Sequence, residues 1–191
     1  MLRSFWKRFL LHGIQFSDRH QQLNLLYKVE DPWNMKSTAE QHRFSETNSF
    51  ITRNFDSVGR LLEIGCGEGH QTLALTQVAR DITGLDVSDQ AVARARQRVP
   101  GARFLAGSLP DLEQALVADR FDLVTACEVL YYMSDIPSAL AAMERCGRAM
   151  VVTYYEKYRD RLDPIILAKP DVVVERISHG DMGWTIACWR T

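Results

Sequence analysis

Residues 60–87 read RLLEIGCGEGHQTLALTQVARDITGLDV. An apolar run over 61–64 enters a loop carrying Gly65, Gly67 and Gly69. A stretch of helical period follows, and a second apolar run over 82–85 closes on Asp86. The order is strand, tight glycine turn, helix, and a second strand ending in a carboxylate, which is the βαβ half of a nucleotide-binding fold. The glycines let backbone approach a ligand closely. Asp86 stands 21 residues beyond Gly65, at the spacing where an acid accepts both hydroxyls of a ribose.

The loop also says which nucleotide it suits. A dinucleotide fingerprint places its third glycine at the sixth position, where the helix packs closely beneath a pyrophosphate. Here that position is His70, and the glycines fall as G-C-G-E-G. Glu63 puts a further carboxylate just before the loop, where it would repel a pyrophosphate. An acid there suits a ligand bearing a cation, such as the ammonium or sulfonium of S-adenosylmethionine.

The rest of the chain continues the alternation. Strands are expected over 60–64, 81–86, 102–106, 121–126 and 148–154, separated by helices over 69–79, 88–98, 111–117 and 135–145. That regularity predicts a doubly wound, mostly parallel α/β sheet with helices on both faces. Residues 172–178 and 184–190 are β-rich and joined by His179-Gly180-Asp181-Met182-Gly183, which predicts an antiparallel hairpin at one sheet edge. The connector before this pair is read as short. Residues 1–57 read as helices and loops, with a turn at Asp31-Pro32-Trp33 and a helix over 38–55, forming an N-terminal lid of the same domain as residues 58–191.

Composition narrows the classes. A net charge of -1 argues against general polyanion binding, so no nucleic-acid partner is expected. The four cysteines form no C-x-x-C pair, which fits reduced thiols and a cytoplasmic location, and no cysteine/histidine spacing points to a metal. Leu2, Phe5, Trp6, Phe9, Leu10 and Ile14 recur at helical spacing among Arg3, Lys7 and Arg8. Three readings stay open for this stretch: a lid helix over the site, which we favour, a helix contacting a membrane surface through residues 1–16, or a transit segment.

The segment LLEIGCGEGHQTLAL resembles the first motif of class I S-adenosylmethionine-dependent methyltransferases, and GLDVSDQAVARARQR the second. ARFLAGSLPDL and FDLVTACEVLYYMSD are similar to the third- and fourth-strand segments, so the resemblance runs in order over roughly residues 58–155. It implies a seven-stranded, Rossmann-like sheet and the cofactor S-adenosyl-L-methionine, released as S-adenosyl-L-homocysteine. By this resemblance Gly65, Cys66, Gly67 and Gly69 line the methionine portion, Glu63 orients its ammonium, and Asp86 takes the ribose hydroxyls. Leu85, Val87 and Leu109 flank the adenine. Ser108 stands where many members carry an aspartate, and its hydroxyl is the expected partner of the exocyclic amine.

Glu128 follows strand four at the ligand-binding edge of the sheet and either serves cofactor and acceptor or caps the next helix. Tyr132 is expected to position the acceptor, with one of Tyr131 and Tyr132 packing inward. His70 is read as a solvent-facing residue at a helix start. The D-P-W segment, followed by Glu40-Gln41-His42-Arg43, is similar to the rhizobial nodulation N-methyltransferases, a family that methylates the free amine of a chitooligosaccharide. That resemblance implies Trp33 beside the cofactor and Arg43 near the site. The function expected is methyl transfer to nitrogen or oxygen of a small polar acceptor, with a sugar or amino sugar leading. The alternatives are a non-catalytic cofactor-binding regulatory or scaffold module, and a methyltransferase acting on a membrane-associated or protein acceptor.

Overall fold

The structure, a computed structural model, describes residues 15–18, 20–118 and 120–191. Its sheet is built from β1 (Val58–Ile64), β2 (Ala79–Asp86), β3 (Arg103–Ala106), β4 (Leu123–Cys127), β5 (Ala149–Tyr155), β6 (Val173–His179) and β7 (Met182–Arg190). The strand order is β3-β2-β1-β4-β5-β7-β6. The first five strands pair in parallel, whereas β7 runs antiparallel between β5 and β6. The helices are α1 (His20–Leu26), α2 (Thr38–Asn54), α3 (His70–Leu75), α4 (Asp89–Arg98), α5 (Leu109–Val117), α6 (Ile136–Cys146) and α7 (Arg159–Ile166).

Alternation along the strands separates the two faces of the core. Leu61 packs with Phe50 and Ile51 of α2 and Leu75 of α3. Its neighbour Leu62 points the other way, into a cluster with Leu140 and Met143 of α6. Both leucines are fully buried. Because β1 lies between β2 and β4, the chain leaves it in one direction and returns on its other side. A crevice therefore opens above the carboxyl ends of β1 and β4, the place where such sheets bind ligands. Helix starts are fixed locally: the Ser88 hydroxyl accepts the Ala91 N–H at 3.3 Å, and the Asp135 carboxylate accepts the Ser138 N–H at 3.1 Å.

The structure departs from the sequence expectation in three places. The helix expected over 69–79 is only His70–Leu75, and β2 begins at Ala79 because Ala79 pairs with Val58 and packs into the α2 face of the core. The link from β5 to the hairpin is not bare, for it holds a 3-10 turn (Glu156–Tyr158) and α7. Pro164 lies inside α7 and masked it as a helix, but Leu162 and Ile166 are fully buried and dock it. The hairpin turn is two residues, Gly180 and Asp181, with His179 paired to Met182 and Gly180 at φ +58°.

Gly69 carries a prediction. It holds φ +77° at the start of α3, and a Cβ there would stand 3.1 Å from the Ala95 Cα of α4. Gly69→Ala should lower unfolding stability by about 2 kcal/mol in urea titration, from left-handed strain plus overpacking. An unchanged midpoint would mean that α3 and α4 do not pack this closely.

Candidate active site

A cavity of about 700 Å³ occupies the crevice, a size that suits a small-molecule ligand. Its floor is the glycine loop. Gly65 (φ +72°) has no room for a Cβ, which would meet Val129 at 2.6 Å. Gly67 (φ +52°) lies beneath Tyr27, whose hydroxyl would be 3.0 Å from a Cβ. The loop is anchored to β2, with the Gly65 and Cys66 N–H groups both donating to the Leu85 carbonyl.

Two buried carboxylates flank this floor. Asp86 accepts the Gly67 N–H through Oδ2 and the Ser88 N–H through Oδ1, each at 2.9 Å. Burial outweighs these hydrogen bonds and pushes its carboxyl up to about 6. The cap of α4 is Ser88, which leaves Asp86 free of that task. Glu63, 2 % exposed, accepts from the Thr72 hydroxyl. Burial raises it to about 8, against the Thr72 hydrogen bond and the nearby Arg43 charge. Each acid is thus poised to gain from a cationic or hydroxyl-bearing ligand.

The N-terminal segment closes one side of the cavity. The Trp33 indole N–H donates to the Tyr27 hydroxyl at 3.1 Å, and the Trp33 ring lies 5.7 Å from that of Tyr132. Asn24 of α1 accepts from the Ser88 hydroxyl at 2.7 Å. The main latch is Glu68, a loop acid that is itself buried: its Oε2 accepts the Asp31 N–H at 2.9 Å and its Oε1 accepts from Arg94. Arg98 donates to the Glu68 carbonyl. Ligand atoms of Asp31, Glu68 and His70 lie within 4.8 Å of one another. With both Glu68 oxygens already engaged, this trio ties the segment to the loop.

On the far side stands a network centred on Arg43, 1 % exposed. Its Nε and Nη2 donate to Glu40 Oε2 at 2.9 and 2.7 Å, and its Nη1 donates to Gln71 Oε1 at 2.8 Å and Thr153 Oγ1 at 3.4 Å. Burial opposes the Arg43 charge, but the carboxylates of Glu128 and Glu40 outweigh it and hold the guanidinium protonated. The Thr153 hydroxyl donates onward to Glu128 Oε1 at 3.2 Å, and the Tyr131 hydroxyl to Oε2 at 3.0 Å. Desolvation raises the Glu128 carboxyl, opposed chiefly by Arg43. Glu128 sits at φ +59° and caps no helix, so its side chain is turned to the cavity and this network.

The structure brings Trp33, Glu63, Gly65, Cys66, Gly67, Asp86, Val87, Ser108, Leu109, Glu128 and Tyr132 to one cavity. Gly69 does not line it and serves the packing of α3 on α4. The Ser108 hydroxyl donates to Asp111, so toward an adenine amine it offers its oxygen while Asp111 stands behind it. Tyr131 is the inward one of the tyrosine pair, its ring 4.3 Å from that of Tyr158. His70 is not solvent-facing: its side chain is 9 % exposed and burial lowers its pKa. Tyr27, Glu68, Gln71, Arg94 and Thr153 were not foreseen. A charged residue between two glycines was the only local signal, and it marks Glu68. The stretch 2–14 lies outside the described residues, while Phe16 donates its N–H to the Tyr131 carbonyl at 2.9 Å. No helix among the described residues is long and apolar enough to cross a membrane.

The fold is that of class I methyltransferases. It superimposes on the solved structure of the N-methyltransferase NodS from Bradyrhizobium japonicum WM9 in complex with S-adenosyl-L-homocysteine, with a TM-score of 0.73 at 22 % identity over 92 % of this chain and 99 % of that one. The chain matches the family model of nodulation protein S (NodS) over residues 16–152 and belongs to that family. It is 32 % identical over 127 residues to nodulation protein S of Bradyrhizobium diazoefficiens, covering 66 % of this chain and 60 % of that protein. It is 31 % identical over 139 residues to that of Sinorhizobium fredii, covering 70 % and 64 %. The chain thus spans less than two thirds of the length of these relatives.

The latch makes a prediction. Arg94→Met leaves Glu68 buried without its cation and should speed hydrogen exchange at the Asp31 amide about tenfold or more. Unchanged protection there would show that Glu68 does not hold the segment down.

Proposed function

We propose that this chain binds S-adenosyl-L-methionine in the crevice and transfers its methyl group to a nitrogen or oxygen of a small polar acceptor, with the free amine of a sugar leading. The observation that carries the reading is the pair of buried acids, Glu63 and Asp86, lining one cavity on either side of a glycine loop that lies outside the dinucleotide pattern. Their chemistry fits the cofactor: an acid raised to about 8 gains from an ammonium beside it, and Asp86, which lines the cavity beside the loop it holds, would accept the ribose hydroxyls. Membership of the nodulation protein S family and the likeness to a fold crystallised with S-adenosyl-L-homocysteine support it.

When bound, the sulfonium supplies an already activated methyl group. The residues then have three tasks: to place the acceptor in line, to exclude water, and to keep the acceptor's lone pair free. Val87, Ser108 and Leu109 would hold the adenine end. Trp33 and Tyr132 would wall the methyl-transfer side, and Glu128 would receive the proton of the acceptor nitrogen or hydroxyl. Arg43 favours the ionised form of Glu128, partly through Thr153.

Two binding predictions follow from the acids. Asp86→Asn keeps an acceptor for one loop N–H but should weaken S-adenosyl-L-homocysteine binding by about 2 kcal/mol, read by calorimetry. Undiminished affinity would remove the ribose role. Glu63 is mostly protonated at pH 7 in the free protein and must ionise to pair with an ammonium. Binding at pH 7 should therefore release close to one proton, seen as a dependence of the heat on buffer ionisation enthalpy. Affinity should fall as pH drops from 8 toward 6. A buffer-independent heat would contradict this pairing.

The acceptor side is tested by turnover on a panel of chitosan oligomers and sugar alcohols. Glu128→Gln should hold S-adenosyl-L-homocysteine affinity within about twofold and cut turnover about a hundredfold. A fully active variant would leave Glu128 a structural partner of Tyr131 and Thr153.

A further inference from the structure

An amino-acid group bears a carboxylate as well as an ammonium, and the acids Glu63 and Asp86 answer only the cationic and hydroxyl parts of the ligand. Those acids offer a carboxylate no donor, so a further group of the lining is needed. Gln71, 7 % exposed, lines it from the first turn of α3. Its Oε1 accepts from Arg43 Nη1 at 2.8 Å. Because a guanidinium only donates, this contact fixes the amide: the oxygen faces Arg43 and the nitrogen faces away. Gln71 Nε2 is buried and meets no hydrogen-bond acceptor among the described residues. A buried, unmatched amide N–H is costly, and an acceptor bound beside it would recover that loss.

The neighbouring residue places this donor. Thr72 donates to Glu63 Oε2, so Gln71 stands next in sequence to the residue that holds the ammonium acceptor. The helical turn that carries the amide donor thus also holds, through Thr72, the ammonium acceptor Glu63 of β1, with the Arg43 charge nearby. We infer that Gln71 Nε2 anchors the carboxylate of the ligand's amino-acid portion, and that Arg43 is the positioning residue that fixes the direction of the Gln71 amide. The inference rests on the cofactor reading above and assigns a residue within that site.

The test titrates two ligands, S-adenosyl-L-homocysteine and its decarboxylated analogue, which keeps the amine. Wild-type protein should prefer the carboxylate-bearing ligand by about tenfold or more. Gln71→Glu keeps an acceptor for Arg43 but replaces the donor. It should weaken S-adenosyl-L-homocysteine by about tenfold or more and leave the analogue within about twofold, so the preference disappears. If wild type binds both ligands equally, or if the variant weakens both alike, the anchor is overturned. Where Gln71→Glu does not fold, Gln71→Leu takes its place and should lose the same preference, and a preference retained in that variant overturns the anchor. Wild type that binds neither ligand overturns the cofactor reading and the anchor with it.

Discussion

The site depends on one carboxylate gripping two backbone segments. Asp86 ends β2 and holds the Gly67 N–H of the glycine loop with one oxygen and the Ser88 N–H of the next turn with the other. That grip sets the loop against the strand end, and the left-handed φ values of Gly65 and Gly67 let it lie there without side chains in the way. The same acid remains at the cavity surface for a ligand. Asp86 thus holds the loop while it lines the cavity, and even an isosteric amide, which can accept only one of the two N–H groups, loosens that grip.

A second constraint is the burial of charge near the strand ends. Glu128 and Arg43 lie where water is scarce and neither charge is tolerable alone, while burial keeps Glu63 largely neutral until a cation joins it. Arg43 resolves this by bridging α2, α3 and β5 through Glu40, Gln71 and Thr153. The consequence is that α2, the loop helix and the far strand share one electrostatic centre. The segment at 27–33 adds a separate connection through Glu68 and Arg94, so the N-terminal part is fastened at both ends of the crevice. A ligand that adds a cation beside Glu63 completes this balance rather than disturbing it.

What sequence made legible, and what it did not, follows from how local each cause is. The β1–α3–β2 unit was readable because glycine turns, apolar runs and a terminal acid act within a few residues. Position 69 shows the limit: a third glycine in the loop looked like a ligand contact, yet its cause is Ala95 of another helix. His70 looked exposed as a helix start, and only the folded-back segment bearing Asp31 covers it. Arg43 was marked by the E-x-x-R spacing, but its partners Gln71 and Thr153 lie 28 and 110 residues away. Helix α7 was hidden by Pro164, because burial of Leu162 and Ile166 outweighs the lost backbone bond.

The preference of the crevice for an adenosyl amino acid over a dinucleotide carries the proposed function. It is tested most directly by calorimetric titration of the protein with S-adenosyl-L-homocysteine and, in the same buffer, with NAD. Saturable one-site binding of the first and none of the second is expected. A folded sample that binds NAD and not S-adenosyl-L-homocysteine would contradict it and make the glycine loop an ordinary dinucleotide turn.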